Sequence, residues 1–255
     1  MALKLPHAVY VHLPKTGGWF VRNVLEKQGL NRGEVGREHD PANLIYGKNG
    51  KRPFTFIFIR HPVEWYRSYW AYRAMNDWRI SPHQPITGWQ LFGSVLDNDC
   101  RSNDFQTWVD NVFAQVPQGI LSIVYGVYTD GVDFIGRVEN MREDLCVALE
   151  LAGESFDRGL IHSFPKQNAS HREWLERAVY GEGQEKRLLE IESEALNYWE
   201  CAAKANAANS FGYQAKRIFS QSRIAIARTG LKGFFRMLSP GNSKGVMVKN
   251  YSPEH

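Results

Sequence analysis

The run Phe54-Thr-Phe-Ile-Phe-Ile59 is apolar at successive positions, so both of its faces must be covered. A strand buried on both faces belongs in a sheet with helices on either side, not in a sheet with one wet face. The segment before it repeats the theme. His7–Leu13 is β-rich and runs into Pro14-Lys-Thr-Gly-Gly18, and Phe20, Val21, Val24 and Leu25 then recur at helical spacing. The Phe54 run stops at Arg60-His-Pro62, where Pro62 suits the first turn of a helix reaching about Met75. A third strand is expected at Val132–Val138, with a helix from about Asn140 to Leu151. Strands alternating with helices predict an α/β domain whose central parallel sheet is flanked by helices. Segments 104–116 and about 184–204 also read as helical. Residues 76–103, with Pro82, Pro85, Gly88 and Gly93 and no clear period, read as a long surface excursion.

A chain of 255 residues suits one such domain with insertions. From Gln214 onward eight Lys and Arg face the single acid Glu254, a net +7. With +4 for the whole chain, residues 1–213 carry −3. Residues 1–213 are therefore expected to be the domain and 214–255 a basic tail. Ile224, Leu231, Phe234, Phe235 and Leu238 lie near one helical face of that tail. It reads either as a peripheral membrane or acidic-glycan contact, or as a further helix packed on the body. Cys100, Cys146 and Cys201 are odd in number and widely spaced, which fits reduced thiols. With no apolar span of membrane length, the expectation is a soluble, cytoplasmic protein.

In an open parallel sheet ligands bind beyond the carboxyl ends of the strands. Three segments are expected there: the Pro14–Gly18 loop, Arg60, and Arg137–Glu139. The loop has the parts of an anion cradle: Gly17 and Gly18 before a helix amino end, with Lys15 as a mobile charge. It is not a Walker A sequence, because its glycines follow Lys15-Thr16. Arg60 and Ser68, two turns into the next helix, are placed to hold a second phosphate.

Pro-Lys-Thr-Gly-Gly followed by Arg60-His-Pro-Val-Glu-Trp-Tyr-Arg-Ser68-Tyr resembles the sulfotransferases that use 3′-phosphoadenosine-5′-phosphosulfate (PAPS). The resemblance is to the carbohydrate type that includes heparan sulfate 2-O-sulfotransferase. Phe134–Leu145 and Phe164–Ser170 are similar to later segments of that family, and the likeness covers roughly residues 5–213. It implies a P-loop-like three-layer fold. It also implies transfer of a sulfuryl group from PAPS to a hydroxyl, leaving the product PAP, with no metal required. Lys15, Thr16, Gly17 and Gly18 would then grip the 5′-phosphosulfate, with the backbone of Trp19 and Phe20 beside them. Arg60 and Ser68 would take the 3′-phosphate, with Arg137 as a further cofactor contact. Relatives carry Thr or Ser where this chain has Trp19 and Phe20.

A general base must take the acceptor's proton. His39 lies 21 positions before Arg60, as the base does in heparan-type relatives, and is the first candidate. The other reading is a turn cap beside Asp40 and Pro41. Glu139 is the alternative base, or the partner of Arg137 in a structural ion pair. His12 and His61 are expected to be positional, and Lys166 and Asn168 to close over the cofactor. The acceptor is expected to be a hydroxyl-bearing small molecule or glycan, not a nucleic acid, and the oligomeric state stays open. Two other readings remain: an ATP-dependent P-loop-type kinase, and a protein that binds PAP or a glycan without turnover.

Overall fold

A computed structural model describes residues 2–37, 39–47, 51–78, 92–165 and 172–210, the side chains of 207–210 excepted. The chain is α/β, with a five-stranded mixed sheet flanked by helices. The strands are β1 (Ala2–Lys4), β2 (Ala8–Val11), β3 (Glu34–Val35), β4 (Phe54–Ile59) and β5 (Phe134–Arg137), in the order β3-β1-β2-β4-β5.

The expected parallel sheet is present only in part. β2 pairs in parallel with β4 and β4 with β5, whereas β1 runs antiparallel to both β2 and β3. The reason is loop length. Only Leu5-Pro6-His7 separates β1 from β2, and Leu5 N–H bonds Ala8 C=O at 2.8 Å across that turn. A turn so short can only reverse the chain.

The side chains of the parallel strands alternate between two cores. Val9, Val11, Ile57, Ile59 and Ile135 face one, and Ala8, Tyr10, Phe56, Phe58 and Phe134 the other. Helices α1 (Gly18–Lys27), α6 (Met141–Ala152) and α7 (Arg158–Ser163) cover the second. The first core is covered by α3 (Pro62–Met75), α4 (Phe105–Gln115), α5 (Ile120–Thr129), α9 (Gln184–Ile191) and α10 (Ser193–Ser210). Two further short helices are α2 (Ala42–Tyr46) and α8 (Arg172–Arg177).

The single helix expected at 184–204 is two, broken at Glu192. The Glu192 carboxylate turns inward and is fully buried at the amino end of α5. It accepts from Leu121 N–H (3.0 Å), Ser122 N–H (2.7 Å), Ser122 Oγ (2.9 Å) and Tyr66 Oη (2.6 Å). Helix amino ends carry unpaired N–H groups and partial positive charge, so a carboxylate there offsets both. Of the 76–103 excursion, residues 79–91 lie outside the described residues. The remainder is tied to α3 through Asp97, which accepts from Tyr69 Oη and pairs with Arg73, both at 2.8 Å, and through Ser102 C=O, which accepts from Trp70 Nε1 at 2.9 Å. Among the described residues no helix is long and apolar enough to cross a membrane. The basic tail at 214–255 lies outside the described residues.

Candidate functional site

The register places three strand ends side by side. Val11 lies opposite Ile57 and Ile59 opposite Arg137, so the Pro14–Gly18 loop, Arg60 and the residues after β5 share one edge of the sheet. The loop is pinned from within and from above. Thr16 is buried and its hydroxyl donates to Leu13 C=O at 2.7 Å, while Trp65 Nε1 of α3 donates to Pro14 C=O at 3.0 Å. Lys15 and Gly17 both adopt left-handed backbone, at φ 64° and 75°. Such a conformation costs a non-glycine residue of order 1 kcal/mol, so it persists at Lys15 because the surrounding contacts fix it.

The two glycines answer to their neighbours. A Cβ on Gly17 would lie 2.2 Å from Met141 Cε, and one on Gly18 would lie 1.9 Å from His12 Nε2. What the pair leaves toward solvent is the amino end of α1. That helix has no side-chain cap and no acid in its first turn. The Phe20 N–H is already bonded to Gly17 C=O at 3.0 Å, so the amides ahead of it point out of the helix. Of the two residues after the glycines, Trp19 is 59% exposed. Phe20 is buried, packed edge-on against Phe164 with the Arg142 guanidinium 5.3 Å from its ring centre.

Two cations sit beside this amide end. Lys15 Nζ stands 4.1 Å from the centroid of the Tyr72 ring of α3. Burial and the neighbouring Arg60 charge bring its pKa down to about 8. Arg60 follows β4 directly. The Tyr125 hydroxyl of α5 anchors its backbone, accepting from Arg60 N–H (3.1 Å) and donating to Arg60 C=O (2.5 Å). Its guanidinium lies 3.7 Å from Glu64, and its buried Nε has no hydrogen-bond partner among the described residues. Burial lowers the Arg60 pKa, partly offset by Glu64 and Glu139. Ser68 is 3% exposed and shares the loop-facing stripe of α3 with Trp65 and Tyr72, three residues after one and four before the other.

Arg137 and Glu139 are committed elsewhere. Arg137 N–H and Nε both donate to the buried Asp144 carboxylate, at 2.8 and 3.2 Å. Its guanidinium lies 5.7 Å from the Trp199 ring centre. The expected Arg137–Glu139 pair is thus an Arg137–Asp144 pair. Glu139 accepts from His61 N–H (2.9 Å) and Trp199 Nε1 (2.8 Å), tying α3 to α10. His61 packs edge-on against Trp199, with ring centres 5.0 Å apart.

His39 is half-buried with left-handed backbone, φ 60°. Tyr128 of α5 donates its hydroxyl to His39 C=O, and His39 Nδ1 lies 3.0 Å from His12 C=O. A carbonyl oxygen can only accept, so Nδ1 carries the proton and Nε2 is the basic nitrogen of the neutral ring. The His12 and His39 rings meet edge-on at 4.8 Å. Burial, followed by the His39 charge, pushes His12 well below the usual histidine range. His12, held against Gly18, thereby links His39 to the loop.

Lys15, Thr16, Gly17, Gly18 and Arg60 are therefore gathered at one edge, with Ser68 beside them and His39 joined through His12. Lys166 and Asn168 lie outside the described residues. Sequence reasoning missed Tyr72, Tyr125, Met141 and Arg142. For Tyr72 a signal existed, because it continues the Trp65–Ser68 stripe by four residues. No family model, curated protein or solved structure matches the chain.

Proposed function

We propose that the chain is a PAPS-dependent sulfotransferase acting on a hydroxyl, in keeping with the carbohydrate type it resembles, and that its sheet and helices form a P-loop-like three-layer fold. One observation carries this reading. Lys15 and Arg60 are neighbouring, largely desolvated cations, each lowered by burial and Lys15 also by the Arg60 charge, beside the uncapped amino end of α1. An anion relieves that arrangement, and the buried Arg60 Nε is an unmatched donor among the described residues. These features fit a ligand with two anionic groups, as PAP and PAPS have.

When bound, PAPS supplies a sulfuryl group on a phosphate leaving group. Transfer then rests on positioning and on charge stabilisation where charge develops. Lys15 donates its N–H groups toward the departing phosphate oxygen. The α1 amides and Arg60 hold the anionic groups in register, with Ser68 as a further hydroxyl. His39, proton fixed at Nδ1, takes the acceptor proton at Nε2. Thr16 argues against the kinase alternative, because its hydroxyl is buried against Leu13 and is not presented to a magnesium ion. Trp19, exposed where relatives carry a hydroxyl, favours a second reading in which PAP binds without turnover.

Calorimetric titration with PAP, using ATP and ADP as controls, tests the proposal. Selective PAP binding that is lost in Arg60→Ala and kept in His39→Ala is the expected result. Equal binding of all three nucleotides, or none of PAP, would overturn it.

A further inference from the structure

Among the described residues Lys15 has no carboxylate and no hydrogen-bond acceptor paired with its ammonium. The one group facing it is the Tyr72 ring, 4.1 Å from Nζ to centroid. At that distance over a ring face the quadrupole attracts a cation by about 0.5–1 kcal/mol, and by more when water is excluded. Tyr72 is itself 44% exposed, late in α3, and contributes little to the core. The same helix is fastened to the loop one turn before Ser68, through the Trp65–Pro14 hydrogen bond. The ring's position relative to the loop is therefore fixed by α3. A ring covers one side of an ammonium and leaves its other N–H groups free to donate.

We propose that Tyr72 is a positioning residue for Lys15: its ring holds the ammonium charged and aimed across the loop, and keeps that contact when a phosphorylated ligand binds on the other side. The inference rests on the anion-site reading above. It adds a function for a residue that otherwise reads as surface aromatic filler on α3. It also explains how a lysine next to Arg60 stays available as a cation without an acid to pair with. A carboxylate in that place would compete with the ligand, whereas a ring stabilises the cation without occupying its donors.

Two measurements on the full chain separate this inference from its foundation. The first needs no ligand: competitive acetylation with mass-spectrometric readout follows the pH dependence of Lys15 reactivity. Tyr72→Leu should lower the Lys15 pKa by about 0.4–0.7 unit, the equivalent of 0.5–1 kcal/mol, and Tyr72→Phe should restore it. The second is PAP affinity against pH. If the ring contact persists in the complex, Tyr72→Leu binds PAP like the parent at pH 6.5, where Lys15 is already protonated, and two- to fivefold more weakly at pH 9. A purely structural defect would weaken binding equally at both pH values. An unchanged Lys15 pKa in Tyr72→Leu overturns the proposal, as does a uniform loss of affinity or tighter binding at pH 6.5. Absence of PAP binding by the parent protein would refute the anion-site reading, while the labelling experiment would still decide the role of Tyr72.

Discussion

If Lys15 is the cation that meets the ligand, binding must be coupled to a proton. Its pKa stands at about 8 against an ordinary 10.5, because burial and Arg60 disfavour the charge. Well below pH 8 the free protein already holds the proton and almost nothing is taken up. Above pH 8 the free lysine is neutral while an anionic ligand restores the charge, so the complex holds more protons and affinity falls as pH rises. At pH 8 half of the lysines are protonated, so each binding event should absorb roughly 0.5 proton, rising to about 0.9 at pH 9. The affinity should then fall toward tenfold per pH unit. The limit is the 2.5-unit displacement, about 300-fold if the ligand returns Lys15 fully to its ordinary value. The second pKa of a phosphate group lies near 6, so PAP is almost fully ionised above pH 8 and does not titrate in this window. Calorimetry at pH 8.5 in buffers of different ionisation enthalpy reads the proton count directly. No uptake in the parent protein, or the same uptake in Lys15→Met, would refute the reasoning.

Two further substitutions test the frame that holds the site. Glu192→Ala strips the acceptor from Tyr66 Oη and from the Leu121 and Ser122 amides, all buried; urea denaturation should show a loss of about 3 kcal/mol, and Glu192→Gln should recover only part of it, because its NH2 group would face one of the two backbone amides. Gly18→Ala drives a methyl to 1.9 Å from His12 Nε2, and the ring has Tyr10 and His39 on its flanks. A thermal melt should report the 1–3 kcal/mol typical of overpacking, and PAP affinity should fall as the loop shifts.

How much of this was legible depended on whether the determinant was local. β4 was readable to the residue, because a run apolar on both faces admits few other placements. Helix α3 was readable because Pro62 marks its first turn. Helix α5 was not, since nearly all of it is buried and an all-apolar segment has no helical period to detect. The β1–β2 reversal was hidden because a three-residue turn with three-residue β1 leaves almost no pattern. The same divide runs through the site. The loop and Arg60 were visible as motifs, and the register of the strands brings their ends together. The fate of Arg137 depended on Asp144, seven residues on and one helical turn into α6, where no motif points. Tyr72 was overlooked because α3 also carries Trp65, Tyr66, Tyr69 and Trp70, all buried, so one more aromatic reads as core.

The distribution of acids explains why an anion site results at all. Of the carboxylates near Arg60, Glu139 is held by the His61 amide and the Trp199 indole, and Glu64 also bonds Arg67 Nη1 at 3.0 Å. Asp144 is engaged by Arg137 and Asn140. Glu139 and Asp144 are thus given to other contacts, and Glu64 is shared between Arg67 and Arg60. Lys15 is left with the Tyr72 ring, and Arg60 with the shared Glu64 carboxylate at 3.7 Å, beside a helix amino end. That arrangement works against the stability of the free fold, since two desolvated like charges repel. The backbone contacts that fix the loop and Arg60 hold them there nonetheless, through Thr16, Trp65 and Tyr125. The backbone around both cations is thus fixed by contacts that do not consume their charge, which leaves the Lys15 ammonium without a carboxylate among the described residues and Arg60 only partly offset by Glu64.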